Sequence, residues 1–385
     1  MKHTIKSILL AGAAAIALAS TALPALAQQK TLKFVSWQKD ERGVGDWWAA
    51  IIKEFEAKNP GVKVEWTKVE RGAYADTMTT LFAGGKPPEI VHLASFEFQK
   101  FADQGWLEDL APYIRSSGLN LDGWAGQSAC QWKGKPVCVM MLYFGNIFAY
   151  NEEMLKKGGG GQYLSELMNY TLDAGGRWTD ANGKVTINTP QMVEGLARWK
   201  DVVKNSLTPR DLSAGETRQM FADGRIAMKL DGPWLYPIIQ RGKAKDQIKI
   251  VPPPFNPPLG GSSNILGMAS EIPADSKKLV WDFISIATSD KFQSDFATLA
   301  NSTPPSPRAK TDGAKAATPH FDTLVQTAQA ASKAGVDRIP KGLEIQYNEF
   351  AKMIMEEAQR MIIQDLDPKA VAATMQSKAE AIQKQ

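Results

Sequence analysis

Thr31-Leu-Lys-Phe-Val-Ser36, the run from Val44 to Lys58, Asn59-Pro60-Gly61 and Val62-Lys-Val-Glu-Trp66 follow one another near the start of the chain, and their change of character decides the fold. The first is short and partly alternating, the habit of a strand. The second carries Trp47, Ile51, Ile52 and Phe55 at helical spacing, which predicts an amphipathic helix. Asn59-Pro60-Gly61 stops that helix, and Val62 to Trp66 reads as a second strand. A helix over Ala73 to Ala83, a strand over Glu89 to Leu93 and a helix over Phe96 to Gln104 continue the series. Strand, helix, strand, helix, strand predicts a parallel sheet covered by helices.

Outward from this block the same vocabulary recurs. Val137 to Leu142, Ile147 to Tyr150, Ile226 to Leu230, Lys249 to Val251 and Ile265 to Ala269 are strand candidates. Asn188-Thr189 before Pro190 caps a helix to Val203, and the chain beyond Lys277 is largely helical. At 385 residues the chain exceeds the size at which one core stops growing, so two lobes are expected.

The amino terminus reads as a cleavable export signal. Lys2 and Lys6 form a positive start, Ile8 to Leu18 is apolar, and Ala25-Leu26-Ala27 offers the small residues of a cleavage site. The apolar run is too short to cross about 30 Å of hydrocarbon. Without a Cys after Ala27 there is no lipid attachment point, so a free periplasmic protein is expected. Of the net charge of +4, Lys2 and Lys6 supply two, and no basic run suggests nucleic acid as a partner.

Cys130 and Cys138 are the only cysteines and flank Gly134 symmetrically. A hairpin turning at Lys133-Gly134-Lys135 sets them side by side, and export to an oxidising compartment predicts a structural disulfide. Zinc needs more ligands than this segment offers.

Together the blocks resemble the family 1 extracellular solute-binding proteins of ABC importers, the maltose-binding-protein type. The likeness runs through Phe34-Val-Ser-Trp37, Ile51 to Val64, Thr80 to Glu89, Phe101 to Leu110, Gly134-Lys-Pro-Val137, Ala149 to Leu155, Phe221 to Met228, Asp231-Gly-Pro-Trp234 and Trp281-Asp-Phe-Ile284. Shared order and spacing carry it, since any one block could be an ordinary α/β element. The resemblance implies a type II binding-protein fold: two lobes, each a mainly parallel sheet flanked by helices, with a ligand cleft between them. On that pattern residues 28–125 and 266–300 form the first lobe, and 126–265 and 301–385 the second. It also implies closure of the lobes around a solute, delivery to a membrane permease, action as a monomer, and no cofactor.

Residue chemistry points to a carbohydrate. The chain holds eleven Trp, and Trp37 and Trp234 fall where the family places its cleft. Flat rings pack on sugar faces, while hydroxyls need directional polar partners. The candidates for those partners are Asp40, Glu41, Glu70, Tyr74, Ser95, Glu97, Tyr143, Asn146, Gly260, Gly261, Asn264 and Arg308, with Tyr347 more remote. Trp47, Trp48, Trp106, Trp199 and Trp281 read as packing. A glycerol phosphate would favour a basic cleft, and a polyamine would require several carboxylates. A sugar-acting enzyme is the reading from another class. Against it, the chain after the signal has only His92 and His320, no nucleophile elbow, P-loop or dinucleotide fingerprint, and no metal spacing. Glu356 and Glu357 are adjacent on a helix and point apart, so they make no catalytic pair.

Relatives continue from the Asn-Glu-Glu-Met-Leu block into a further strand and helix. Here Lys156-Lys157 runs into Gly158-Gly-Gly-Gly161, so the second lobe reads as shortened, either naturally or by removal of a segment bridged with glycine. Loss of a covering element would expose apolar surface near Tyr163, Leu167 and Met168.

Overall fold

The computed structural model describes residues 29–153, 164–205, 212, 214–334 and 338–385. The signal segment, the Gly158–Gly161 tract and Tyr163 lie outside them.

Ten strands form two main sheets and one hairpin among the described residues. β1 (Lys30–Ser36), β2 (Val62–Lys68), β3 (Ile90–Ala94), β6 (Val139–Gly145) and β10 (Gly260–Met268) make the larger sheet, in the order β2-β1-β3-β10-β6. β4 (Gln131–Trp132) and β5 (Lys135–Pro136) make the hairpin, and β7 (Ile147–Asn151), β8 (Met228–Asp231) and β9 (Ile248–Val251) the smaller sheet, in the order β8-β7-β9. The opening stretch folds as its pattern predicts. β1 pairs β2 in parallel, with Phe34 opposite Trp66, and the helix Val44–Lys58 covers them. That helix buries Trp47, Trp48, Ile51 and Phe55, a stripe at helical spacing. Both indoles are held: Trp47 Nε1 donates to Phe292 O at 2.6 Å, and Trp48 Nε1 to Gln38 Oε1 at 3.1 Å. Trp199 and Trp281 are also buried, and Trp106 packs on Phe82 and Phe101, so these five rings are structural.

The expectation of a mainly parallel sheet holds in strand direction for the larger sheet, where β10 alone is reversed against β1, β2, β3 and β6, and is corrected for the smaller one. As paired neighbours only β1–β2 and β1–β3 run parallel; β10 runs antiparallel to both β3 and β6, and the smaller sheet is wholly antiparallel. The cause lies in the route of the chain. β6 leaves the larger sheet and, after Asn146 alone, becomes β7 of the smaller one; β10 returns from the other side and must run the opposite way. The N–H of Asn146 donates to Leu259 O at 3.0 Å, tying the outgoing and returning segments at the crossing. The sequence division also assigned Val139–Gly145 to the second lobe, whereas its ladder with β10 makes it the edge of the larger sheet.

Three apolar cores follow. One lies around the larger sheet, one under the smaller sheet with Leu235 and Phe321, and one among the helices Leu164–Asp173, Pro190–Asn205, Tyr347–Ile363 and Pro368–Gln383. Leu167 and Met168 belong to this last core and are buried, which corrects the expected exposure there. The cover comes from the Pro190–Asn205 helix, which supplies Met192, Leu196 and Trp199 to the same cluster. Asp367 caps the final helix by accepting from Ala370 N, with Pro368 in its first turn.

The Cys130–Cys138 disulfide is present, with Cα atoms 5.1 Å apart. β4 and β5 meet across Lys133 and Gly134, both at positive φ (48° and 79°), the two-residue turn that matches strand twist.

Candidate functional site

The carboxyl ends of β1 and β3 and the loop after β8 bring charged and aromatic groups of both lobes together. On the larger lobe, Trp37 follows β1. The residue is only 9% exposed, its ring stacked on His92 (centroids 4.2 Å, 22°) and edge-on to Tyr74 (4.7 Å, 80°). The Arg71 guanidinium lies over the same ring at 4.9 Å. Arg71 also donates to Glu97 Oε1 at 2.7 Å, and Glu97 accepts from Ala94 N, so this buried carboxylate is satisfied. Trp37 is thus sandwiched by the protein's own groups rather than standing free.

His92 is wholly enclosed, and burial pushes its imidazole down to about 3, with Arg71 acting in the same direction. The Tyr74 phenol is within hydrogen-bonding distance of Val35 O (2.8 Å) and His92 O (2.5 Å). Its burial and the charge of Glu97 hold it well above the usual phenol range. Tyr74 therefore lies in the core beneath the site.

Glu41 behaves differently. It retains exposed surface, yet the protein surrounds it closely enough that loss of hydration raises its carboxyl above the ordinary value. Arg218, a hydrogen bond from Gln38, Arg71 and Lys68 pull the other way. Asp40 and Glu70 are exposed and both ion-pair with Lys68, at 3.0 and 2.7 Å.

The opposing group belongs to the second lobe. Asp231, at the end of β8, accepts from Arg218 Nε (2.8 Å) and Nη2 (3.0 Å), from Trp234 Nε1 (2.6 Å) and from Gly232 N (2.8 Å). Burial works to raise Asp231, but Arg218, Lys229 and these hydrogen bonds hold it below the ordinary carboxylate value. Trp234 is part-exposed, edge-on to Phe144 at 4.8 Å, with Arg218 over its ring at 5.7 Å.

Phe96 joins the halves. It packs against both the larger-sheet core and the helical core, with Arg71 and Arg338 each 5.4 Å from its centroid and Tyr347 at 5.3 Å. Tyr347 thereby reaches the junction between the lobes. Gly260 and Gly261 pair with Gly145 and Phe144 on β6. A Cβ on Gly260 would stand 2.4 Å from Ala331 Cβ and 2.5 Å from Phe144 O, so only glycine fits. Asn264 and Ser95 are buried where β10 meets β3, Tyr143 lies on β6 with its carbonyl accepting from Thr303 Oγ1, and Asn146 is buried at the crossing.

Arg308 is not brought to this group. Its Nε bonds Asp290 and its Nη2 the carbonyl of Asn120, bracing the surface of the larger lobe. Sequence reasoning missed Arg71, Phe96, Phe144, Arg218, Asp231 and Arg338. Asp231 stood inside the quoted Asp231-Gly-Pro-Trp234 block, and Phe96 between two residues that were singled out. A depression of about 580 Å³ lies elsewhere, over Ile52, Glu56 and Trp66, and is shallow and open. Among the described residues no cluster of His, Cys, Asp and Glu could hold a metal ion, and no helix is long and apolar enough to cross a membrane.

The family model for bacterial extracellular solute-binding proteins matches residues 38–294. The putative ABC transporter periplasmic-binding protein YcjN of Escherichia coli is 25% identical over 249 residues, 52% of this chain and 56% of that protein. Among solved structures, the GacH receptor of Streptomyces glaucescens, studied unliganded and with acarbose, superposes with a TM-score of 0.80 at 17% identity, covering 92% of this chain and 99% of that one. Maltose-bound MalE3 of T. maritima gives the same TM-score, identity and coverage. The chain belongs to the bacterial extracellular solute-binding proteins and has their two-lobed α/β fold, with mixed sheets flanked by helices.

Proposed function

We propose that this member of the family is the solute-capturing component of an ABC importer, working in the periplasm after export and holding a carbohydrate between its lobes. One observation carries the reading. Trp234 is part-exposed and oriented by Asp231 and Arg218, and the charge of that same Arg218 reaches Glu41, which also feels Arg71 of the Arg71–Trp37 stack. A part-exposed indole with fixed charged groups around it suits a ring that is apolar on its faces and hydroxylated at its edge. Arg71 and Arg218 are already paired with Glu97 and Asp231, which favours a neutral solute over a phosphate ester. GacH and MalE3, bound to acarbose and maltose in their own structures, agree with a carbohydrate.

In this reading Trp234, Glu41, Arg71 and Arg218 touch or orient the sugar, and Trp37 and Tyr347 line the floor. The β6–β7 crossing and the returning β10 carry the hinge, and the closed form docks on a permease. Calorimetric titration with mono- and oligosaccharides tests it, alongside polyamines, glycerol phosphates and chromogenic glycosides. Saturable heat with a sugar and no turnover is expected. Heat with the phosphates or polyamines alone overturns the carbohydrate assignment, and turnover of a glycoside overturns the non-catalytic one.

A further inference from the structure

Behind Phe96, on the side of the disulfide hairpin, the lobes enclose a second cavity of about 230 Å³. Its lining comes from three separate segments: Ser95 and Gln99 after β3, Ser128 to Trp132 at the hairpin, and Arg338 to Glu344 ahead of the Tyr347–Ile363 helix. Three of these side chains each carry a buried polar atom with no hydrogen-bond partner among the described residues: Gln99 Oε1, Trp132 Nε1 and Arg338 Nε. Gln99 is 6% exposed, and its amide nitrogen is already spent on Ser95 O at 3.0 Å, which leaves the oxygen as the free end. Buried polar groups without partners are costly and rare, and three around one cavity mark a place where a ligand completes the bonding.

We propose that this chamber is a second binding site, for one small neutral polyol or monosaccharide unit. The free atoms comprise two donors, the Trp132 indole N–H and the Arg338 Nε–H, and one acceptor, Gln99 Oε1. A hydroxyl both accepts and donates, so neighbouring hydroxyls on one molecule match that set. Arg338 and Glu344 both line the cavity, so its walls hold one charge of each sign and favour a ligand without net charge. The volume lies below the roughly 300–1,000 Å³ of typical ligand pockets, which limits the occupant to a single small unit. Arg338 also lies over the rings of Phe96 (5.4 Å) and Phe144 (5.6 Å), placing it between the chamber and the Trp234 side of the cleft. The hairpin that presents Trp132 is closed by Cys130–Cys138, which gives this bridge a role in shaping one wall. The assignment goes beyond carbohydrate capture in the main cleft and does not rest on it.

Titration of the full exported chain with xylitol, followed by the ¹⁵N-indole resonances, tests the proposal. The Trp132 signal is identified by its disappearance in Trp132→Phe. A saturable shift of that signal is expected with xylitol, weakened about tenfold in Gln99→Met, which keeps the bulk and removes the acceptor. If Gln99→Met loses its folded spectrum, Arg338→Met is read in its place with the same expectation. Glu41→Gln, a change in the main cleft, should leave the Trp132 titration unaltered. The proposal is overturned if neither xylitol nor glucose gives a saturable shift, if sulfate does so instead, or if Glu41→Gln abolishes the response.

Discussion

Trp234 Nε1 donates to Asp231 Oδ1 at 2.6 Å, and the same carboxylate receives two bonds from Arg218. An indole that reaches solvent is thereby fixed by a buried ion pair, so the proposed sugar contact and the local order depend on one small network. Replacing Trp234 with Ala should weaken saccharide affinity by about 1–3 kcal/mol, the contact and burial of one stacked ring, with little change in folding. An isothermal titration that shows unchanged affinity removes Trp234 from the site.

Arg218→Met should cost more than the ring itself. Asp231 is buried, with its side chain 8% exposed, and would lose its bidentate partner while keeping Lys229 at 3.6 Å. Leaving a buried carboxylate undercompensated costs on the order of 3 kcal/mol. Urea denaturation should show that loss, and Arg218→Met with Asp231→Asn should recover part of it. A double variant no more stable than Arg218→Met would remove the coupling.

The early part of the fold was legible because its signals are local. The helix Val44–Lys58 and the strand starting at Val62 begin where periodicity and Asn59-Pro60-Gly61 put them. The direction of β10 was not, because it depends on where the chain goes between β6 and β10, a matter of tertiary route. The site was half legible for a similar reason. Trp37 stood at a strand end as expected, but His92, from an interior position of β3, and Arg71 occupy its ring. Arg218 and Asp231 lie on different elements, and nothing in either local pattern announces their pairing.

His92 sets a pH dependence. Its folded value is pushed down to about 3 from an ordinary 6.5, so the unfolded chain binds the extra proton first. This contribution is therefore fully present above pH 6.5 and is lost as pH falls toward 3. Denaturant melts at pH 7, 5.5 and 4 should show falling stability. His92→Phe should flatten that slope, and an unchanged slope would assign it to other groups.

Glu41 acts in the opposite sense. Its carboxyl is raised above the ordinary 4.5, so the folded state holds the proton longer than the unfolded chain does. Stability from this group therefore falls as pH rises through the interval just above 4.5. Glu41→Gln should stabilise the ligand-free protein at pH 7 while weakening sugar binding. A variant less stable than the parent at that pH would contradict the burial argument.

Cys130→Ser with Cys138→Ser opens a small loop, the cysteines being 8 positions apart. Chain-entropy reasoning gives a loss of about 2–3 kcal/mol. Thermal melting with and without reductant checks it: reductant should lower the midpoint of the parent and leave the double variant unmoved.

Asn146 alone parts β6 from β7. Along β7 Ile147, Ala149 and Asn151 are buried while Phe148 and Tyr150 are only partly so. The ladder of β6 with β10 therefore fixes where β7 begins, with no loop between the two sheets to absorb an extra residue. A single residue inserted beside Asn146 would turn every side chain of β7 over, so this junction tolerates substitution better than any change of length.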